Sequence, residues 1–220
     1  MLKGQLKIFF TLLLFGIINQ SGYAVAQTHR YGIESGIIEY KIVGSENGTE
    51  MLFFDRWGMR EARYTTYETQ LYGLRHLLTI IDGEWLYRID LDKKIGTKEQ
   101  NIILKELLDH PEEDNILLAV KVIAKMGGMR GNPEEVRGKA CEVWEIKAMG
   151  KQFWLWEGIM LKVQTEQGIK HTTQEATAIL EGQIPEDKFI IPTDIQFIEG
   201  NIDDILLSFQ NAPLHNQGNF

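Results

Sequence analysis

Chemistry that needs a nucleophile, a metal or a bound phosphate leaves particular residue types at particular spacings, and this sequence offers few of them. Its five histidines, His29, His76, His110, His171 and His215, are scattered, with no His-x-x-x-His or His-Glu-x-x-His pair, so no metal site is expected. In Gly44-Ser45-Glu46-Asn47-Gly48 the serine stands second rather than central, and the stretch reads as a hairpin turn, not a nucleophile elbow. The single cysteine, Cys141, lies inside an apolar strand, where it has no partner for an intramolecular disulfide and reads as a buried inert thiol. The acidic run from Asp109 to Asp114 fits the solvated start of a helix better than a metal cluster. With no glycine-rich phosphate loop either, the sequence predicts no catalytic residue, no metal and no cofactor.

What remains is apolar surface arranged for binding. From Gly138 to Glu166 three short apolar segments, Lys139 to Ala148, Lys151 to Trp156 and Ile159 to Glu166, are separated by Met149-Gly150 and Glu157-Gly158. Two-residue glycine-containing turns of this kind make a three-stranded antiparallel meander. Such turns pair Trp156 with Ile159, Trp154 with Leu161, Ala148 with Lys151 and Ile146 with Phe153. One face then carries Cys141, Val143, Trp154, Trp156, Ile159, Leu161 and Val163, and the other Trp144, Ile146, Phe153, Leu155 and Met160. Neither face is polar enough for water, so something must cover the second, either another part of the chain or a ligand.

Elements that could do so precede the meander. Hairpin signals at Asn47-Gly48 and Asp82-Gly83 join Gly36 to Val43 with Thr49 to Phe54, and Leu77 to Ile81 with Glu84 to Leu91; a polar strand, Met59 to Thr69, lies between. The period then changes. Thr97 and Gln100 form a capping box for a helix from Lys98 to Asp109, which His110-Pro111 ends. A second helix is expected from Glu112 to Met126, with Ile116, Leu117, Val120, Ile123 and Ala124 on one stripe and Gly127-Gly128 as its stop. After the meander come a threonine-rich strand, Ile169 to Leu180, and a short one, Asp194 to Ile198. The expected class is α+β: an antiparallel open half-barrel of about ten strands with two main helices covering its concave face.

The first 26 residues read as a cleavable leader, with Lys3 and Lys7 before an apolar run from Ile8 to Ile18 and Ala24-Val25-Ala26 before Gln27. Eleven residues are too few to cross a bilayer ~30 Å thick, so a periplasmic or extracellular protein without an integral membrane segment is expected. Residues 27–200 form the expected domain and 201–220 a tail that could carry a short helix from Ile202 to Phe209. Of 23 basic residues two lie in the leader, leaving 21 against 31 acidic ones and a net charge of −10. A surface so acidic argues against nucleic acid as a partner. The leader also lacks the cysteine that lipidation at its cleavage site needs.

Four stretches carry a resemblance: Phe53 to Gly58, the Ile81 to Asp90 hairpin, Gly-Lys-Ala-Cys-Glu-Val-Trp from Gly138 to Trp144, and the closing Ile184 to Pro192. Together they are similar to exported bacterial proteins of unassigned role that in turn resemble the periplasmic lipoprotein carriers (LolA/LolB-like). The resemblance implies a half-barrel whose concave face, closed by helices, holds acyl chains. No carrier functional residue maps onto this chain by motif. The expected function is therefore non-catalytic binding of a hydrophobic small molecule, lipid or lipidated protein by a monomer. Val143, Trp154, Trp156 and Leu161 on the sheet and Ile116, Val120 and Ile123 on the helix are the candidate ligand-binding residues. Alternatively, the chain's own helices fill the cavity of an envelope structural or interaction protein. The helix stripe offers roughly 10 kcal/mol at ~2 per side chain and an acyl chain of ~16 carbons ~13 kcal/mol, so either could fill the trough.

Overall fold

The computed structural model describes residues 29–69, 73–102, 104–105 and 118–198. The leader, Ile116, the intervening parts of both expected helices and the tail from 201 lie outside these. Among the described residues thirteen strands make one open, mixed sheet. The first half is β1 (Gly36–Gly44), β2 (Asn47–Asp55), β3 (Arg60–Thr69), β4 (Gly73–Asp82), β5 (Trp85–Asp90) and β6 (Ile95–Gln100). A helix, α1 (Leu118–Lys125), follows. The second half is β7 (Met129–Arg130), β8 (Glu134–Val136), β9 (Lys139–Ile146), β10 (Lys151–Trp156), β11 (Ile159–Gln167), β12 (Lys170–Glu181) and β13 (Gln196–Phe197). The strand order is β13-β6-β5-β4-β3-β2-β1-β12-β11-β10-β9-β7, with β8 beside β9. Each described pairing is antiparallel except that of β13 with β6.

This corrects the expected fold class. Among the described residues there is no half-barrel covered by two main helices but a single 13-stranded mixed sheet carrying one helix. The expected helix from Lys98 fails first. Lys98 to Gln100 continue β6, because the free edge of β5 takes Ile95 to Gln100 as its antiparallel partner. Thr97 is buried in that strand with its hydroxyl unpartnered, so it caps nothing. The helical turn starts after Asn101, whose Oδ1 accepts the Leu104 N–H at 3.1 Å.

The hairpin signals fare better. Glu157 and Gly158 both have positive φ, 49° and 77°, the turn whose twist suits a two-residue hairpin, and Trp156 faces Ile159 as its spacing requires. At the other turn, residues 147–149 wind into a 3-10 turn, so Lys151 faces Ile146 and Phe153 faces Trp144. A slip of two residues leaves the faces unchanged. A bulge at Trp154/Leu155 then shifts the register of β11 by one, which sets Trp154 opposite Lys162 and moves Val163 to the Phe153 side.

The core shows what covers each face. Cys141, Val143, Trp154, Ile159 and Leu161 share one buried cluster with Ile38, Tyr40, Leu52, Phe54 and Ala176. In a flat sheet β9 and β2, five strand spacings apart, would be separated by ~24 Å, so the sheet must fold over on itself. Cross-links at that fold are Tyr40 Oη donating to the Met160 carbonyl at 3.0 Å and Arg137 Nε donating to the Ala176 carbonyl at 3.0 Å. The opposite face of the meander is the one that meets the helix: Ile146 and Leu155 bury Ile123, with Ala119, Val120, Trp144, Phe153 and Met160 packed around them. A third cluster, centred on Phe53, Ala62, Leu78, Ile80 and Ile89, is covered by the closing segment through Ile184, Phe189, Ile191 and Ile195.

Candidate functional site

A cavity of about 320 Å³ lies where α1 crosses the folded sheet. The helix contributes Ala119, Val122, Ile123 and Met126, spaced i, i+3, i+4 and i+7 so that all four fall on one stripe. The strands contribute Ile146, Phe153 and Met160 from the helix-facing side of the meander, and Met149 and Leu104 extend the apolar wall. Alternation along β10 places Lys151 on the same side as Phe153, and Lys151 completes that wall. Arg30, Tyr31, Arg63 and Asn101 form the polar remainder.

The polar end rests on a buried charge network. Glu61, 1 % exposed, pairs with Arg30 at 2.7 Å and with Arg63 at 3.3 Å, and accepts a hydrogen bond from Tyr31 Oη. Arg63 also reaches Glu50 at 2.8 Å, whose carboxylate takes further hydrogen bonds from Thr65 and Gln174, both at 2.9 Å. Burial pushes the Glu61 carboxyl up, but the charges of Arg30 and Arg63 and the donated hydrogen bonds outweigh it and hold it below the usual carboxylate range. Burial, reinforced by the Glu61 charge, pushes the Tyr31 hydroxyl up, so Tyr31 acts as a neutral donor. Two arginines face two glutamates, and the network is neutral. The N-terminal strap that brings Arg30 and Tyr31 here is held by their backbone N–H groups, which both donate to the Trp57 carbonyl at 3.0 Å, and by the Gly32 N–H donating to the Glu157 carbonyl at 2.9 Å.

The residues singled out from the sequence divide between two places. Ile123 lines the cavity; Val120 packs in the same helix–sheet cluster and lines a neighbouring depression of about 220 Å³ with Trp156, Leu155 and Glu142. Val143, Trp154 and Leu161 lie in the cluster closed by the chain's own strands, where Trp154 Nε1 donates to Glu134 at 2.8 Å. Trp156 is half-buried at the edge of that cluster with the Lys139 ammonium 4.1 Å from its ring centroid. Ile116 lies outside the described residues. The reasoning from sequence missed Phe153, Met160, Met149, Lys151 and the arginines. The second apolar face was its available signal, since Ile146, Phe153 and Met160 stand on it together.

Three of the remaining reactive groups sit in structural settings. Cys141 is 1 % exposed, and burial pushes its thiol up and away from the reactive thiolate. His29 stacks on Trp57 with ring centroids 4.4 Å apart, and His76 pairs with Asp92 at 2.8 Å. Among the described residues no group of three or more histidine, cysteine, aspartate or glutamate side chains is placed to hold a metal. Nor, among them, is any helix long and apolar enough to cross a membrane.

Comparison with protein-family models returns no match, and none is found among curated proteins. Solved structures that show a distant likeness include the following. An uncharacterized conserved protein from Thermus thermophilus aligns over 74 % of this chain and 89 % of its own at 6 % identity, with a TM-score of 0.48. PNGF-II aligns over 80 % of this chain at 9 % identity and a TM-score of 0.48, the match spanning 32 % of PNGF-II. LprF from Mycobacterium bovis aligns over 71 % of this chain and 90 % of its own at 7 % identity, with a TM-score of 0.32. All three fall below a TM-score of 0.5 and none assigns this chain a family or a role.

Proposed function

We propose that this chain is an exported, non-catalytic protein that binds a hydrophobic ligand in the cavity beneath α1. The observation that carries the reading is a cavity of about 320 Å³ between helix and sheet with nine apolar side chains in its wall, a size within the range of small-molecule sites. Ten buried methylenes would contribute ~8 kcal/mol gross at ~0.8 kcal/mol each, enough for useful affinity after the costs of association. The strand-and-turn motifs that resemble the lipoprotein carriers support the same ligand class, and the three-part leader supports export. Native mass spectrometry of protein purified from an exporting host should find a co-purified lipid, and N-terminal sequencing should begin at Gln27. The tryptophan packed in the helix–sheet cluster, Trp144, should report titration with an acyl ligand through its fluorescence.

A second reading has its own observation. The Trp154 face is closed by this chain's strands, so half of the apolar surplus that suggested a ligand is already self-filled. If the native mass spectrum held no lipid and the titration stayed flat to the solubility limit, the protein would be the envelope structural or interaction protein instead.

A further inference from the structure

Among the described residues, Lys151 is the one cation of the cavity wall left without a partner. Arg30 and Arg63 also line the cavity, but Glu61 and Glu50 already neutralise them. Lys151 is half-buried on β10 between Ile146 and Thr165 and, among the described residues, forms no ion pair or side-chain hydrogen bond. Some lysines elsewhere on the surface find acids, Lys94 with Asp194, Lys139 with Glu181 and Lys162 with Glu175, whereas Lys41, Lys125 and Lys147 form no ion pair among the described residues but do not line this apolar cavity. In a chain with 31 acidic residues against 23 basic ones, an unpaired ammonium set against an apolar cavity is not explained by a surplus of lysine. Among the described residues no carboxylate lines that cavity.

Lys151 also lines a second cavity of about 320 Å³, where Thr165, Thr172, Gln167 and Gln174 supply hydrogen-bonding groups. Glu46 lines this second cavity too, yet makes no ion pair with Lys151 among the described residues. An apolar compartment, a cation at its boundary and beyond it a compartment of mixed character, walled by Ile42 and Val163 as well as by these polar groups, suit an amphiphile. Size narrows the class further. At ~30 Å³ for a water-sized unit, close to the volume of a methylene, the apolar compartment holds about ten such units. A single chain of that length fills the cavity with α1 in place.

Resting on the ligand-binding reading above, we infer that the ligand is a single-chain amphiphile with one anionic headgroup, of the class of a fatty acid of about ten to twelve carbons. Its chain lies under α1 and its carboxylate pairs with Lys151. Calorimetric titration of the exported full chain with laurate and with 1-dodecanol, which has the same chain and no charge, tests the assignment. Laurate should bind at least about tenfold more tightly, as a charge-assisted contact requires. Lys151→Met, which keeps the aliphatic stem, should bring the ratio of laurate to dodecanol affinity to within about twofold of one; Lys151→Arg should keep the preference. Equal affinity for both probes in the parent, a preference that survives in Lys151→Met, or loss of both probes from that variant overturns the headgroup assignment while the cavity remains a ligand site. Failure of both probes to bind the parent overturns the assignment and the ligand-binding reading together.

Discussion

Replacing Glu61 by glutamine removes one negative charge from the most buried acid of the network and leaves its shape almost unchanged. Arg30 then loses its carboxylate partner and keeps the Gly58 carbonyl and the face of the Tyr31 ring, while Arg63 keeps Glu50. Both guanidinium groups are less than a quarter exposed, 16 % and 22 %, so water compensates poorly. Breaking a buried pair from one side costs about 3 to 5 kcal/mol, and the lower end applies because Arg63 retains a partner. With a urea slope of about 2 kcal/mol per molar, the midpoint should fall by about 1.5 M at pH 7. The pH dependence has a definite sign. The Glu61 carboxyl titrates below its usual value in the folded state, so its stabilisation is fully present above the unfolded value of about 4.3 and is lost as pH falls through the lower folded value. Parent and Glu61→Gln should therefore differ at pH 7 and converge as the pH falls through the lowered folded value. A midpoint at pH 7 within about 0.2 M of the parent would refute the claim that this buried charge network stabilises the fold.

Three further outcomes follow from the packing. Leu161→Ala empties a fully buried site between the folded halves of the sheet and should cost about 2 to 5 kcal/mol. Ile123→Ala borders a cavity that already exists and should cost less, measured by the same urea titration. Gly150→Ala should destabilise by more than about 1 kcal/mol, because φ is +56° there and an added Cβ would lie 1.8 Å from the Glu166 carbonyl oxygen; a neutral result would mean that the turn between β9 and β10 is not as tight as described.

Local chemistry was legible in the sequence, and long-range chemistry was not. Glu157-Gly158 announces a tight hairpin because the backbone there must take positive φ twice, and the strand pair follows from it. The two apolar faces of the meander were equally plain from alternation. What each face touches depends on partners as far as 120 residues away in sequence, as Tyr40 and Met160 show, and alternation carries no information about them. The two helical signals illustrate the limit from another side. Thr97 and Gln100 satisfy the capping pattern, yet the exposed hydrogen-bonding edge of β5 draws Ile95 to Gln100 into the sheet and tertiary pairing overrides the local preference. The bulge at Trp154/Leu155 leaves no mark in the composition, so the side on which Val163 falls could not be read. Lys151 went unnoticed because a lysine beside a turn glycine is the ordinary sequence of a solvated hairpin.

The two covers of the meander differ in what their removal would demand, and that difference bears on which face the proposed ligand would use. Separating the Trp154 face from β1 and β2 would expose Ile38, Leu52, Phe54, Ile159 and Leu161, each fully buried, and would unfold the bend of the sheet itself. Lifting α1 away from the other face exposes three fully or nearly fully buried side chains, Ile123, Ile146 and Leu155, around a cavity that is present beforehand. At ~2 kcal/mol per large side chain, the first costs several kcal/mol more than the second before any strand pairing is counted. A guest larger than that cavity would therefore displace the helix rather than the strands. Gly127, with φ of +81° and open space around it, stands two residues beyond the end of α1, where a change of backbone direction meets the least resistance. The surface that reads as the more ligand-like in sequence, with its paired tryptophans, is the one that the fold keeps shut.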